Sequence, residues 1–241
     1  MLAILSDIHG NLIALESVVH DLQQFNINGI ILLGDLIDYC MQSNEVVSYI
    51  RDSLETQVIC SLWGNHENAI LTSDFSRFSS QRGVDSAKHT ASILSNDSII
   101  FLKDHLIHDG TFSFTRNGKR FLAVHGSQND VFWISIRPDN VNGDYRQYDV
   151  VLSGHSHHSH IFTKFYEADD PARRNLHAVL FINPGSVGQP RNQNANAQYA
   201  LYDELTGTVS LRAVEYDIDA AKKLFDTSVD PFYRERLEKG I

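Results

Sequence analysis

Short apolar runs that each break off into a polar, glycine-bearing cluster dominate the first two thirds of the chain. The runs are Leu2–Leu5, Gly29–Leu33, Gln57–Leu62, Arg120–Val124 and Tyr148–Leu152. Each has the length of a buried strand and is too short for a helix. Between the first three lie segments with helical spacing. Leu12–Leu22 carries apolar residues at 12, 15, 18, 19 and 22, which fall on one helix face. Asn44–Leu54 follows the same pattern, with Ser43 or Asn44 as the expected cap. Strand, helix, strand in repetition predicts an α/β sheet with crossover helices.

The middle of the chain predicts a helix around Asp85–Leu94 and a short one capped by Asn96 through Leu102. Thr111–Phe114, Asn117-Gly118 and Arg120–Val124 together signal a hairpin, because Asn-Gly suits a type I′ turn. His160–Tyr166, Leu176–Ile182, Gln198–Asp203 and Thr208–Tyr216 are predicted as strands. This β-rich second half is expected to form a second sheet packed on the first. Ile218–Phe225 and Pro231–Leu237 are predicted as helices. With no repeat, low-complexity tract or linker, the expectation is one domain spanning 1–241.

The chemistry sits where the strands end. The clusters are Asp7-Ile8-His9-Gly10, Gly34-Asp35-Leu36-Ile37-Asp38, Gly64-Asn65-His66-Glu67, His125-Gly126 and Gly154-His155-Ser156-His157. Ligands of open α/β sheets bind at the carboxyl ends of strands. Oxygen and imidazole donors without thiolate suit Mn²⁺, Fe or Zn²⁺ better than copper(I) or an iron–sulfur cluster. The donors Asp7, His9, Asp35, Asn65, His125, His155 and His157 exceed the four of one tetrahedral zinc and suit two metals. Asp35 is the expected bridge. Two cations about 3.5–4 Å apart can clamp the attacking and leaving oxygens of a phosphoryl displacement.

Composition narrows the partners. A net charge of −10 argues against a duplex nucleic-acid binder, but not against a small phosphorylated molecule. Cys40 and Cys60 lack the spacing of a disulfide framework or a metal knuckle, and fit buried thiols in a reducing compartment. The N-terminus has no basic n-region, and no run nears the ~20 residues of a membrane span. The cytoplasm and no membrane partner are therefore expected. A homo-oligomer is compatible with the sequence.

The ordered motifs Asp-x-His, Gly-Asp-x-x-Asp, Gly-Asn-His-Glu, His-Gly and Gly-His-Ser-His resemble the calcineurin-like metallophosphoesterase superfamily, most of all its small bacterial and archaeal phosphodiesterase branch. They span residues 7–157, and Asn183–Arg191 extends the resemblance. The resemblance implies a four-layer αββα sandwich of two mixed sheets flanked by helices. It implies one metal held by Asp7, His9, Asp35 and His157, and another by Asp35, Asn65, His125 and His155. A hydroxide bridging the metals would be the attacker, His66 the catalytic imidazole and Asp38 its orienting partner. Mn²⁺ is the favoured ion, with Fe, Zn²⁺, Ni²⁺ and Mg²⁺ as alternatives. The implied activity is hydrolysis of a phosphoester or phosphoanhydride, on a nucleotide, phosphodiester or dinucleoside polyphosphate.

One departure matters. Protein phosphatases of this superfamily carry arginine after the second Asp of Gly-Asp-x-x-Asp, and this chain carries Tyr39. That disfavours protein dephosphorylation. Arg191 is the replacement candidate for phosphate contact, since a guanidinium fork pairs well with phosphate. Asn65 would join it at the substrate. A non-catalytic metal-binding scaffold is the other alternative. Glu67 receives little weight. His20, His89, His105, His108, His158, His160 and His177 are expected off the site. Phe132, Trp133 and Arg137 suit either a hydrophobic loop anchor or stacking on a nucleobase, the anchor being preferred.

Overall fold

The computed structural model describes all 241 residues. Ten strands and seven α-helices follow in the order β1 (Leu2–Leu5), α1 (Leu12–Leu22), β2 (Gly29–Leu32), α2 (Ser43–Tyr49), β3 (Val58–Ser61), α3 (Asn65–Thr72), α4 (Gln81–Ile93), α5 (Asn96–Asp104), β4 (Thr111–Arg116), β5 (Lys119–Val124), β6 (Val150–Ser153), β7 (His160–Glu167), β8 (Leu176–Asn183), β9 (Ala197–Tyr202), β10 (Val209–Val214), α6 (Ile218–Lys223) and α7 (Pro231–Lys239).

The strands form two mixed five-stranded sheets, ordered β10-β9-β1-β2-β3 and β4-β5-β6-β8-β7. In the first, β1, β2 and β3 are parallel, with Leu2 opposite Gly29 and Ile30 opposite Val58. In the second, β5, β6 and β8 are parallel, with Val124 opposite Ser153 and Val150 opposite Leu180. The parallel strands put the five donor-bearing ends at one rim.

Residues of β1 alternate between two cores, so the run is apolar throughout rather than every second residue. Leu2 and Ile4 face the other sheet and meet Phe121, Ala123, Val150 and Leu152. Ala3 and Leu5 face the helices, against Ala14, Leu15, Val18, Val46 and Val47. The α/β sandwich of two mixed sheets is therefore the observed fold. On the outer face of the second sheet, the irregular segment 131–148 supplies Ile136, Tyr145 and Tyr148 as cover for Val124, Val151 and Phe181.

Three expectations are corrected. Strands β9 and β10 return to the first sheet, where β9 pairs with β1, so the second half does not build the second sheet alone. Its hydrophobic alternation cannot say which sheet edge it joins. The helix after β2 starts at Ser43 with Gln42 as its cap, and turns π-helical over Ile50–Leu54. Ser43 Oγ is occupied by the Asp38 N–H at 3.0 Å, and Asn44 instead bonds Ile93 and Ser95, so neither caps it. Ser95, not Asn96, caps α5 by accepting the Ser98 N–H. The hairpin turn is as expected: Asn117 and Gly118 both have positive φ, as type I′ requires.

Candidate metal centre

The strand-end loops are held in conformations that L-residues avoid. Asp7, His9, Asp35, Asp38, Tyr39, His155 and His157 all have φ between 50° and 78°. Each such residue costs on the order of 1–3 kcal/mol and persists only where its surroundings fix it. The loops after β1 and β2 fix each other through backbone bonds, from Asp7 N–H to Gly34 O at 3.0 Å and His9 N–H to Asp35 O at 2.9 Å.

Glu67 is the main clamp. Its side chain is fully buried. Its carboxylate accepts the N–H groups of Gly64, Asp35 and Leu36 at 2.8 Å and Ile37 at 3.2 Å. The little weight given to Glu67 from sequence is corrected by these four bonds. Its signal was available: a carboxylate at the third position of a helix that follows an N-cap can reach back to exposed N–H groups. A third loop comes from the Asn183–Arg191 segment. Ser186 Oγ donates to Asp7 O at 2.7 Å, and Gly188 N–H donates to the same oxygen at 3.1 Å. A Cβ on Gly188 would lie 1.8 Å from Ile8 O, so only glycine admits this approach.

These loops bring the donors into two groups that share Asp35. Asp7, His9, Asp35 and His157 form one; Asp35, His125 and His155 form the other, each with its ligand atoms within 4.8 Å of one another. Asn65 Oδ1 joins the second, 3.0 Å from His125 Nε2 and 2.9 Å from His155 Nδ1. Every donor expected from the sequence is thus at the site. Asp35 Oδ2 lies 3.7 Å from His9 Nε2 and 3.4 Å from His125 Nε2, a placement that suits a shared ligand.

The histidines are oriented by what lies behind them. Nδ1 of His9, His125 and His157 donates to the carbonyls of Ile37, Leu33 and Gln189 at 3.2, 2.7 and 2.6 Å. A neutral ring so held presents the Nε2 lone pair inward. Lone pairs then face each other: His9 Nε2 and His157 Nε2 are 3.2 Å apart. Buried Asp7 Oδ1 has no hydrogen-bond donor. Converging lone pairs without donors call for cations between them, so the residues fit divalent metals.

Burial favours the neutral form of three of the ligand rings, and His125 is the exception, drawn to the charged form by the carboxylates beside it. Burial, then the other histidines, push His9 well below its ordinary value. Burial and His125 bring His155 down to about 3, and burial and Arg191 bring His157 down to about 4. Burial would do the same to His125, but Asp35 and Asp7 outweigh it and raise the ring to about 9.

His66 sits one residue beyond Asn65, at the start of α3, and its N–H donates to Asp35 Oδ1 at 2.9 Å. Its Nδ1 lies 2.6 Å from Asp38 Oδ2. Asp38 Oδ1 accepts Ser86 Oγ at 2.7 Å and Thr90 Oγ1 at 2.8 Å, both from α4. Asp38 is therefore no helix cap but a carboxylate locked behind an imidazole. Burial disfavours the charged ring, yet the Asp35 and Asp38 carboxylates outweigh it and hold His66 well above its ordinary value.

A cleft of about 420 Å³ opens onto the donors, and Arg191, His66, Tyr39, Phe78 and Trp133 are among the residues that line it. Arg191 Nε is buried without a hydrogen-bond partner. Tyr39 lies between the His9 and His66 rings, with centroids 4.5 Å away, and stacks on Tyr233 of α7 at 4.4 Å. The C-terminal helix, which carried no motif, thus buttresses the site. The remaining histidines are elsewhere: His105 pairs with Glu55 at 2.8 Å, His177 bonds Tyr148 O at 2.8 Å, and His158 bonds Ser156 O at 2.7 Å.

Fold and donor pattern together define a class, and comparison with known proteins gives the same one. A family model described as the calcineurin-like phosphoesterase superfamily domain matches residues 1–207, and the chain belongs to that superfamily. An uncharacterized protein of Methanocaldococcus jannaschii is 30% identical across 100% of this chain and 98% of its own length. A metallophosphoesterase from Sphaerobacter thermophilus is 25% identical, covering 100% and 99% of the two chains with a TM-score of 0.73. A hypothetical protein of Pyrococcus horikoshii shares the fold with a TM-score of 0.78 at 21% identity, over 97% and 98%. The family uses divalent metals, and clustered Asp and His ligands are present here. No helix is long and apolar enough to cross a membrane.

Proposed function

We propose that this protein hydrolyses phosphoester or phosphoanhydride bonds of a small nucleotide-type substrate at a two-metal centre. The observation that carries the reading is the convergence of oriented lone pairs on two points that share Asp35. Asp7, His9, Asp35 and His157 would hold one cation, and Asp35, Asn65, His125 and His155 the other. When bound, such cations supply Lewis-acid charge neutralisation at the phosphoryl oxygens and a water acidic enough to attack near neutral pH; Mn²⁺ is the favoured ion.

The protein's own residues would do the rest. Arg191 reaches the cleft with an unpaired guanidinium, which pairs with non-bridging phosphate oxygens and turns phosphorus toward the donors. Asn65 lines the same cleft and would assist at the substrate. As water adds to phosphorus and the ester P–O bond breaks, the departing oxygen gains charge. His66, protonated and fixed through Nδ1 to Asp38, would give that oxygen a proton from Nε2. The deep burial of the donors keeps competing water few and the dipoles fixed. The cleft has the size of a small-molecule pocket, and Tyr39 in place of a phosphate-binding arginine disfavours protein phosphatase activity.

The test is turnover of p-nitrophenyl phosphate and bis-p-nitrophenyl phosphate with Mn²⁺. His66→Ala should lower kcat by about 10²–10⁴-fold while elemental analysis shows unchanged metal content. Full activity in His66→Ala would overturn the catalytic assignment. Metal-loaded protein inert toward every phosphoester would favour the scaffold reading.

A further inference from the structure

The sequence groups Phe132, Trp133 and Arg137 as one motif after His125-Gly126, and the structure divides them. Phe132 is the anchor. A Cβ on Gly110 would come within 2.6 Å of its ring, and it packs against the main core. Arg137 is exposed, in a tight surface loop closed by its own backbone bonds to Asn140. Trp133 does neither. Its half-buried indole lines the cleft beside the donors, with its centroid 6.5 Å from that of His155.

The indole is held in place. Asp130 accepts the N–H groups of Phe132 and Trp133 at 3.2 and 3.0 Å on one oxygen. Its other oxygen accepts Arg77 Nη2 at 2.6 Å. Arg77 in turn lies over the indole, 5.3 Å from the ring centroid, a favourable cation–π contact. Phe78, next in sequence, meets the indole edge-on at 5.3 Å and the His66 ring edge-on at 5.2 Å. The two loops 74–80 and 127–133 are thus tied at the cleft by the Arg77–Asp130 pair, with two aromatic rings lining it beside His66.

An aromatic wall at that place has no use in holding metal or phosphate. We infer that Trp133, braced by Phe78 and Arg77, is the platform on which the nucleobase of the substrate stacks, and that it determines specificity for nucleotides over other phosphoesters. Indole and phenyl surfaces stack on any base. The Arg77 guanidinium beside them offers N–H donors to ring nitrogens and carbonyls, which a plain phenyl leaving group lacks. The inference rests on the phosphoesterase reading for the position of the phosphate.

The chain has two tryptophans, and this allows a direct test. Trp63 is buried with its Nε1–H bonded to Leu102 O, so only Trp133 can report on the cleft. With Mn²⁺ present, stopped-flow fluorescence reads binding before turnover. AMP should quench the emission, and ribose 5-phosphate should not; Trp133→Phe should show no change with AMP. Calorimetry should give AMP a Kd about tenfold below those of ribose 5-phosphate and phenyl phosphate, the scale of one base stacked on an aromatic ring. Trp133→Ala should erase that preference and leave ribose 5-phosphate binding unchanged, whereas Trp133→Phe should keep most of it. Equal affinity of wild-type protein for AMP and ribose 5-phosphate overturns the inference, as does equal affinity for AMP and phenyl phosphate. So does Trp133→Ala weakening all three alike. Hydrolysis of a phosphoester without base preference would sink the platform alone; absence of all hydrolysis would sink the underlying reading.

Discussion

Removing the Glu67 carboxylate should unfasten the centre from a residue that touches no metal donor side chain. Its two oxygens serve four backbone N–H groups, those of Leu36 and Ile37 on one oxygen and those of Gly64 and Asp35 on the other. A buried donor left without an acceptor costs roughly 1–3 kcal/mol, so Glu67→Ala faces a gross loss of about 4–12 kcal/mol. Water entering the space and relaxation of the loop will satisfy part of this, which leaves about 3–5 kcal/mol. That is a large share of the total stability of about 5–15 kcal/mol expected of a domain. Glu67→Gln keeps one oxygen and turns an NH₂ toward the other pair of donors, so it should lose about 2–3 kcal/mol. Urea unfolding monitored by circular dichroism gives the stability differences, with unchanged m-values as the check on two-state behaviour. Because the same N–H groups shape the Asp35 turn, Glu67→Ala should also lower metal content after dialysis. If it unfolds within about 0.5 kcal/mol of wild type, the clamp has been misread.

Two further outcomes probe other parts of the account. Asp38→Asn removes one of the charges that raise His66, so the pKa of the ring falls. The acid form is the active one, so the alkaline limb of kcat should move to lower pH, with a loss of at least about tenfold at neutral pH; a limb that stays in place contradicts the role of Asp38. Far from the site, Asp21 accepts Tyr199 Oη at 2.5 Å and a bidentate Arg212 at 2.9 and 3.0 Å. Asp21→Ala should cost about 2–3 kcal/mol with kcat unchanged, and a fall in kcat would show that the sheet edge and the centre are coupled.

The parallel strands and their donors were legible because they are local. Leu2–Leu5 is apolar throughout and ends in Asp7 and His9, so strand, strand end and ligands lie within a few residues. What was not legible depends on distance in sequence. Nothing in Ala197–Tyr202 states that it pairs with β1 rather than with β7 or β8, since alternation gives a face and not a neighbour. The cap of α2 was misplaced because Ser43, a good capping residue, is claimed by the Asp38 N–H from the strand-end loop. Glu67 was undervalued because its four partners include residues more than thirty positions away. Tyr233 carries no motif and gains its place only when α7 docks and stacks on Tyr39. Trp133 and Phe132 are adjacent in sequence and differ in role because one ring packs on Gly110 and the core while the other lines the cleft, a division that only the folded chain defines.

The central claim is that these dispersed donors hold two cations through a shared carboxylate. Crystals grown with Mn²⁺ and measured at the manganese absorption edge test it most directly. Two anomalous peaks per chain are expected, one ringed by Asp7, His9, Asp35 and His157, the other by Asp35, Asn65, His125 and His155. A lone peak, or peaks that Asp35 does not join, would contradict it.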